Sequence, residues 1–161
     1  MEKSVTQQPE EVGASLDELI PQIRRVARLV TGSHEGVEIF MKDVTPSLEA
    51  LDVFMPPADF RAAVWSTCCD HLMKAQSVDV SSLAALTPES TQADRLARAL
   101  AALPIRKRLA ISLRHQTGMR QDELSEALGL SADEGTALVT AAEAHLQMIV
   151  SALGDTLKID D

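Results

Sequence analysis

Arg120-Gln-Asp-Glu-Leu-Ser-Glu-Ala-Leu-Gly-Leu-Ser131, followed by Ala132-Asp-Glu-Gly-Thr-Ala-Leu-Val-Thr-Ala-Ala-Glu143, decides the fold. Leu124, Ala127 and Leu128 are spaced for one inward face, predicting a short helix over Arg120 to Leu128. Gly129-Leu130 supplies the turn, and Ser131 with Glu134 makes a capping box that opens the next helix. Val139, Ala142, Leu146, Ile149, Val150 and Leu153 carry that helix to Gly154. Two helices joined by a tight glycine turn read as a helix-turn-helix. The charge contradicts the shape. Between Arg120 and Lys158 there is no Lys or Arg, while Asp122, Glu123, Glu126, Asp133, Glu134 and Glu143 are all acidic. A reading helix needs cations to meet phosphates, because counterion release supplies most non-specific affinity for DNA.

Upstream, the same periodicity yields helices throughout. Ser15 and Glu18 form a capping box, and Leu16, Leu19, Ile20, Ile23, Val26, Ala27 and Val30 line one face of a helix ending near Thr31-Gly32. Val37, Met41, Val44, Leu48 and Leu51 line a second helix starting after Ser33, in which Pro46 should kink or interrupt the run. Ile39 and Phe40 point elsewhere, so that segment is apolar on more than one side. It is either a helix buried between neighbours or a surface held for a partner. Pro56-Pro57 starts a third helix, with Phe60, Val64, Cys68 and Leu72 inward and Trp65 beside them, fading at Gln76. After a Ser-, Asp- and Pro-containing stretch, Asp94 to Leu103 form the next helix. Pro104 then sits at the first position of a helix lined by Ile105, Leu109 and Leu113 and stopped by Thr117-Gly118.

The predicted fold is therefore all-α, two helical lobes joined by a linker. Its expected parts are a lead-in over 1–14, a first lobe over 15–76, a linker over 77–90, a helix-turn-helix lobe over 91–154 and a tail over 155–161. The absence of Tyr and the scarcity of Gly argue against strand-rich architectures, and 45% hydrophobic residues suffice for a core. A net charge of −9 disfavours polyanionic partners. No apolar run approaches the roughly 18 residues of a membrane span, and the acidic N-terminus is no signal peptide, so a cytoplasmic protein with no membrane partner is expected. Cys68 and Cys69 read as reduced thiols packed on one helix, and with His71 they lack zinc-ligand spacing. Asp70-His71, His34, His115 and His145 form no nucleophile–base arrangement, so no enzyme, catalytic residue, metal or cofactor is expected.

Leu100-Ala-Ala-Leu-Pro-Ile-Arg-Lys-Arg-Leu109 and Leu124-Ser-Glu-Ala-Leu-Gly-Leu-Ser131 resemble region 4 of extracytoplasmic-function sigma factors. Ile23-Arg-Arg-Val-Ala-Arg-Leu-Val-Thr-Gly32 and Phe60-Arg-Ala-Ala-Val-Trp65 are similar to region 2 of the same family. The departures matter as much. That family's reading helix typically runs Gly-Thr-Val-Lys-Ser-Arg-Leu-His-Arg-Ala-Arg, and its cationic and His positions fall here on Thr136, Leu138, Thr140, Ala141 and Glu143. The acidic cluster expected after the first helix of region 2 is replaced by Glu35-Gly-Val-Glu-Ile-Phe-Met-Lys42, and only Lys74 remains of a basic close to the third helix.

These losses resemble the sigma-factor-like domain of the PhyR family, general stress response regulators of alphaproteobacteria. Members mimic a sigma factor, bind the anti-sigma factor NepR and so free the true sigma factor. They also carry a C-terminal receiver domain, absent from this sequence, so the resemblance implies either a piece of a longer protein or a stand-alone mimic that binds its partner constitutively. It implies an anti-anti-sigma regulator whose partner is a small helical NepR-like protein. An apolar groove is the usual seat for a partner helix. Candidate anti-sigma contacts are Ile39, Phe40, Met41 and Val44 in the first lobe and Leu138 with Ala141 in the second. Thr136, Thr140, Glu143 and Gln147 mark the vacated DNA-reading face. The alternative is a genuine sigma factor or DNA-binding regulator, with RNA polymerase core as partner and Arg106, Lys107, Arg108, Arg114 and Arg120 as phosphate contacts.

Overall fold

Ala- and Leu-rich segments with apolar residues every three to four positions have one way to bury their stripes: as helices packed on helices. The computed structural model describes residues 16–74 and 92–158, and among them every regular element is an α-helix. These are α1 (Leu16–Thr31), α2 (His34–Glu49), α3 (Pro57–Lys74), α4 (Gln92–Ala102), α5 (Ile105–Thr117), α6 (Gln121–Ala127) and α7 (Ala132–Lys158). The expected lead-in, the Ser15 cap and the 77–90 linker lie outside the described residues. No described helix is long and apolar enough to cross a membrane.

Local chemistry sets most boundaries. Ser33 caps α2, its Oγ accepting from the Gly36 N–H at 2.9 Å. Pro46 does not interrupt that helix: it lies in the last turn, and α2 runs on to Glu49 with the Ala50 N–H donating to the Pro46 carbonyl at 3.2 Å. Pro104 is the N-cap of α5 rather than its first helical residue, and its carbonyl accepts from the Arg108 N–H at 3.0 Å. Gly154 does not stop the last helix, since α7 continues to Lys158. A lone glycine costs a helix only about 1 kcal/mol.

The helix α5 is the central strut. From Arg108 to Leu113 six consecutive residues are buried, because α1, α3, α6 and α7 all pack around it. One apolar core joins both halves of the chain. It runs from Leu19, Ile23 and Val30 of α1 through Phe40, Val44, Trp65 and Leu72 to Leu109, Leu124 and Val139. A smaller cluster of Leu100, Leu103, Ile111 and Ala142 ties α4 to α5 and α7.

The crossing of α6 and α7 depends on a missing side chain. A Cβ added at Gly135 would lie 2.7 Å from Ser125 Cβ and 3.2 Å from Ser125 Cα, too close for either atom to yield without moving backbone. Gly135→Ala is therefore expected to lower stability. Helix propensity favours alanine by up to ~1 kcal/mol, but forcing the helices apart costs about 1–3 kcal/mol. Thermal unfolding checks the sign, and a melting temperature equal to or above that of the parent would show that the crossing can open freely.

Candidate functional site

The helix-turn-helix is assembled by short-range hydrogen bonds. The Leu130 N–H reaches back to the Ser125 carbonyl at 2.8 Å and the Gly129 N–H to that of Glu126 at 3.0 Å. Gly129 sits between them at φ +68°. This is the Schellman arrangement, which needs a residue free to adopt left-handed backbone. The capping box then forms as the sequence predicts: the Glu134 N–H donates to Ser131 Oγ and the Ser131 N–H to Glu134 Oε2, both at 3.2 Å.

On the helix so positioned, Thr136, Thr140, Glu143 and Gln147 are exposed at spacings that put all four on one face. Thr136, Gln147 and Glu143 turn their polar atoms to the protein's own groups. Thr136 Oγ1 donates to the Ala132 carbonyl at 2.9 Å, and Gln147 Nε2 to Ser151 Oγ at 3.4 Å. Glu143 lies 3.4 Å from Arg114 Nε and 3.8 Å from His115 Nε2. The face offers carboxylate and hydroxyl where phosphate contact requires cations.

The five cations proposed as phosphate contacts do not form a stripe. Arg114 pairs with Glu143, and Arg120 with Asp122 and Glu123. Lys107 is half-buried, its Nζ 3.4 Å from His145 Nδ1, while Arg106 is exposed. Arg108 corrects the sequence reading outright: it is 2% exposed and reaches no phosphate. Its guanidinium donates to the carbonyls of Val30 (2.5 Å), Leu100 (2.7 Å), Leu103 (2.8 Å) and Ala101 (2.9 Å). These lie at the C-terminal ends of α1 and α4, where free carbonyls and the negative end of the helix dipole favour a cation. Burial pulls the Arg108 pKa below its ordinary value, but guanidinium stays charged in proteins.

The candidate anti-sigma contacts divide. Phe40, Met41 and Val44 are buried in the core and present no free surface in this arrangement, because α1 and α3 cover that side of α2. Ile39 is 55% exposed, Ala141 is exposed and Leu138 is half-buried against the core. Ile39 and Phe40 border a cavity of about 520 Å³ with Thr31, Asp43, His71 and Lys74. Leu138 and Ala141 lie on α7, which packs on α4, α5 and α6.

Two features escaped the sequence reading. Phe54, 92% exposed, and Val53 form an apolar tip between α2 and α3, held by the Phe54 N–H donating to Asp52 Oδ1 at 2.9 Å. The dipeptide Val53-Phe54 ahead of Pro56-Pro57 was the available signal. The second is a groove between α3 and α6, built from residues 60 positions apart and visible only in the fold. Cys68 and Cys69 are buried and reduced, and burial pushes both thiols up, Cys68 to about 12, so neither is a nucleophile at neutral pH.

No family model matches the chain, and no curated protein matches it in sequence. Among solved structures it is similar to the sigma factor RpoE of Bartonella quintana, crystallised in complex with the anti-sigma factor NepR. The TM-score is 0.60 at 18% identity, over 84% of this chain and 95% of that one. At this identity the likeness is one of fold. The chain has a sigma-factor-like, all-helical fold.

Proposed function

We infer that this chain is a sigma-factor mimic: a protein-binding regulator that engages a NepR-like anti-sigma factor and thereby releases a stress sigma factor, without itself binding DNA. One observation carries the reading. The exposed face of α7 between Ala132 and Ala152 has no Lys or Arg, and Arg114 and Arg120 beside it are paired with carboxylates of the same motif. Salt-dependent affinity for DNA scales with the number of phosphates a protein neutralises, so a face without cations forfeits it. A chain of net charge −9 adds repulsion. The shape survives while the charge does not, as expected if a protein rather than DNA recognises it. The RpoE structure, a complex with NepR, supplies the class of partner. Ile39 with the cavity beside it, Leu138 and Ala141 remain the candidate contacts.

The genuine sigma factor stays as the second reading because Arg106, with Arg25 and Arg28 of α1, leaves exposed cations elsewhere, Arg24 being paired with Glu38. Isothermal titration against a NepR-like protein separates the two. Micromolar or tighter binding is expected, together with no retention on promoter duplex at 0.15 M salt. Absence of affinity for the anti-sigma protein, with steeply salt-dependent duplex binding, would reverse the assignment.

A further inference from the structure

We propose that the groove between the start of α3 and α6 is a docking site for a basic segment of a partner protein, seated by main-chain carbonyls and held by a carboxylate rim. The groove measures about 450 Å³. Two independent observations meet there. The first is charge: Asp59, Asp122, Glu123 and Glu126 line it, against Arg61 and Arg120. Arg120 is already committed to Asp122 and Glu123, so the rim keeps an excess of negative charge. The second is a pair of orphaned donors. Trp65, 1% exposed, lines the groove, and its Nε1–H has no acceptor; neither does the Nε–H of Arg61 beside it. Buried donors are nearly always satisfied, so two unmatched ones at one site point to an absent acceptor.

An acidic rim above unpaired N–H donors suits one chemistry. A peptide offers carbonyl oxygens to the donors and Lys or Arg side chains to the carboxylates, whereas an anion would meet the rim's repulsion and a bare cation the donors'. The small side chains of Ala58, Ala62 and Ala127 leave room for a backbone to approach. Both donor atoms are buried, so the segment reaches them as the lining side chains yield.

The occupant comes from another protein. The stretches of this sequence outside the described residues are not basic: residues 1–15 carry Glu2, Glu10 and Glu11 against Lys3, residues 75–91 carry Asp79 and Glu89 with no Lys or Arg, and residues 159–161 carry Asp160 and Asp161. A second copy would bring a further −9. The proposal rests on the reading above only in taking the occupant to be a protein, and it names a surface that reading did not include.

Trp65 is the only tryptophan and there is no tyrosine, so the indole emission comes from one residue, which lines this groove. The probe is an amidated peptide of about ten residues alternating Lys with Ser, which does not fold into an amphipathic helix and so keeps its main-chain carbonyls free, titrated by fluorescence and calorimetry, with its Lys→Glu counterpart as control. The basic peptide is expected to shift the emission and bind, and the acidic one to do neither. Asp59→Asn with Glu126→Gln, both exposed and free to fold, should weaken the basic peptide about five- to tenfold. Equal binding of the acidic peptide, unchanged affinity in the double variant, heat without an emission change, or an emission shift on concentrating the protein alone would each overturn the proposal. An anti-sigma protein that binds the double variant as tightly as the parent rejects this groove as its contact while leaving the regulatory function standing. Retained peptide binding with no anti-sigma affinity does the reverse.

Discussion

Arg108→Ala is expected to destabilise the protein by about 3–5 kcal/mol, the cost of leaving buried polar partners unmatched. The side chain donates to four carbonyls on two helices, Val30 at the end of α1 and Leu100, Ala101 and Leu103 around the end of α4. Without it the Leu100 carbonyl keeps only the Leu103 N–H at 3.1 Å, and the carbonyls of Val30, Ala101 and Leu103 lose the guanidinium at the negative ends of two helix dipoles. Domains of this size are stable by only about 5–15 kcal/mol, so the melting temperature should fall by roughly 6–20 °C. Arg108→Lys restores the charge but not the planar fork, and one ammonium cannot serve both helix ends, so it should fall between parent and alanine. Arg108→Met fills similar volume with no donor and should match alanine. That ranking, read from urea unfolding, separates the hydrogen bonds from the packing. If methionine were as stable as the parent, the carbonyls would have to find other donors and Arg108 would be filler.

This residue also marks the boundary of what the sequence discloses. Ile105, Arg108, Leu109 and Ser112 share one helical face, so the inward stripe of α5 already contained the arginine. The run Arg106-Lys-Arg108 drew the reading towards a solvated basic patch. What decides the matter is a carbonyl 78 positions away, and no local pattern reports that. Phe40, Met41 and Val44 teach the same lesson in reverse. A helix apolar on several sides can be a docking face or an interior one, and only the packing of α1 and α3 against α2 exposes Ile39 while covering the others. By contrast, the helix start after Ser33, the Gly129 turn and the Ser131–Glu134 box were legible because each is closed by bonds within six residues. Gly154 shows the limit of even local signals, since a helix long enough to be held elsewhere runs through it. The α3–α6 groove, with its orphaned Trp65 and Arg61 donors, joins two halves of the chain and had no trace in either.

Placing cations on the exposed face of α7 should turn the protein into a DNA binder. The variant Thr136→Arg, Thr140→Lys, Glu143→Arg and Gln147→Lys places four cations along one face, at positions already open to solvent. Glu143→Arg acts twice, because it also releases Arg114 and His115 from the carboxylate that now holds them. The helix itself should not suffer: Lys and Arg are better helix formers than Thr, and none of the four side chains is in the core. With about four phosphates neutralised, log affinity for duplex should fall against log salt with a slope near −3.6. That slope means about a hundredfold weakening between 50 and 200 mM. The parent should show no such binding at either salt. Fluorescence anisotropy on a labelled duplex measures both, with circular dichroism to verify the fold. Silence from the four-cation variant would mean that the geometry of α7, not its charge, keeps DNA away. Duplex binding by the parent would mean that the carboxylate pairs on Arg114 and Arg120 open easily, and that the vacated face was never the barrier. The expected result, affinity appearing only when charge is added to an intact shape, would isolate charge, not geometry, as what keeps α7 from duplex.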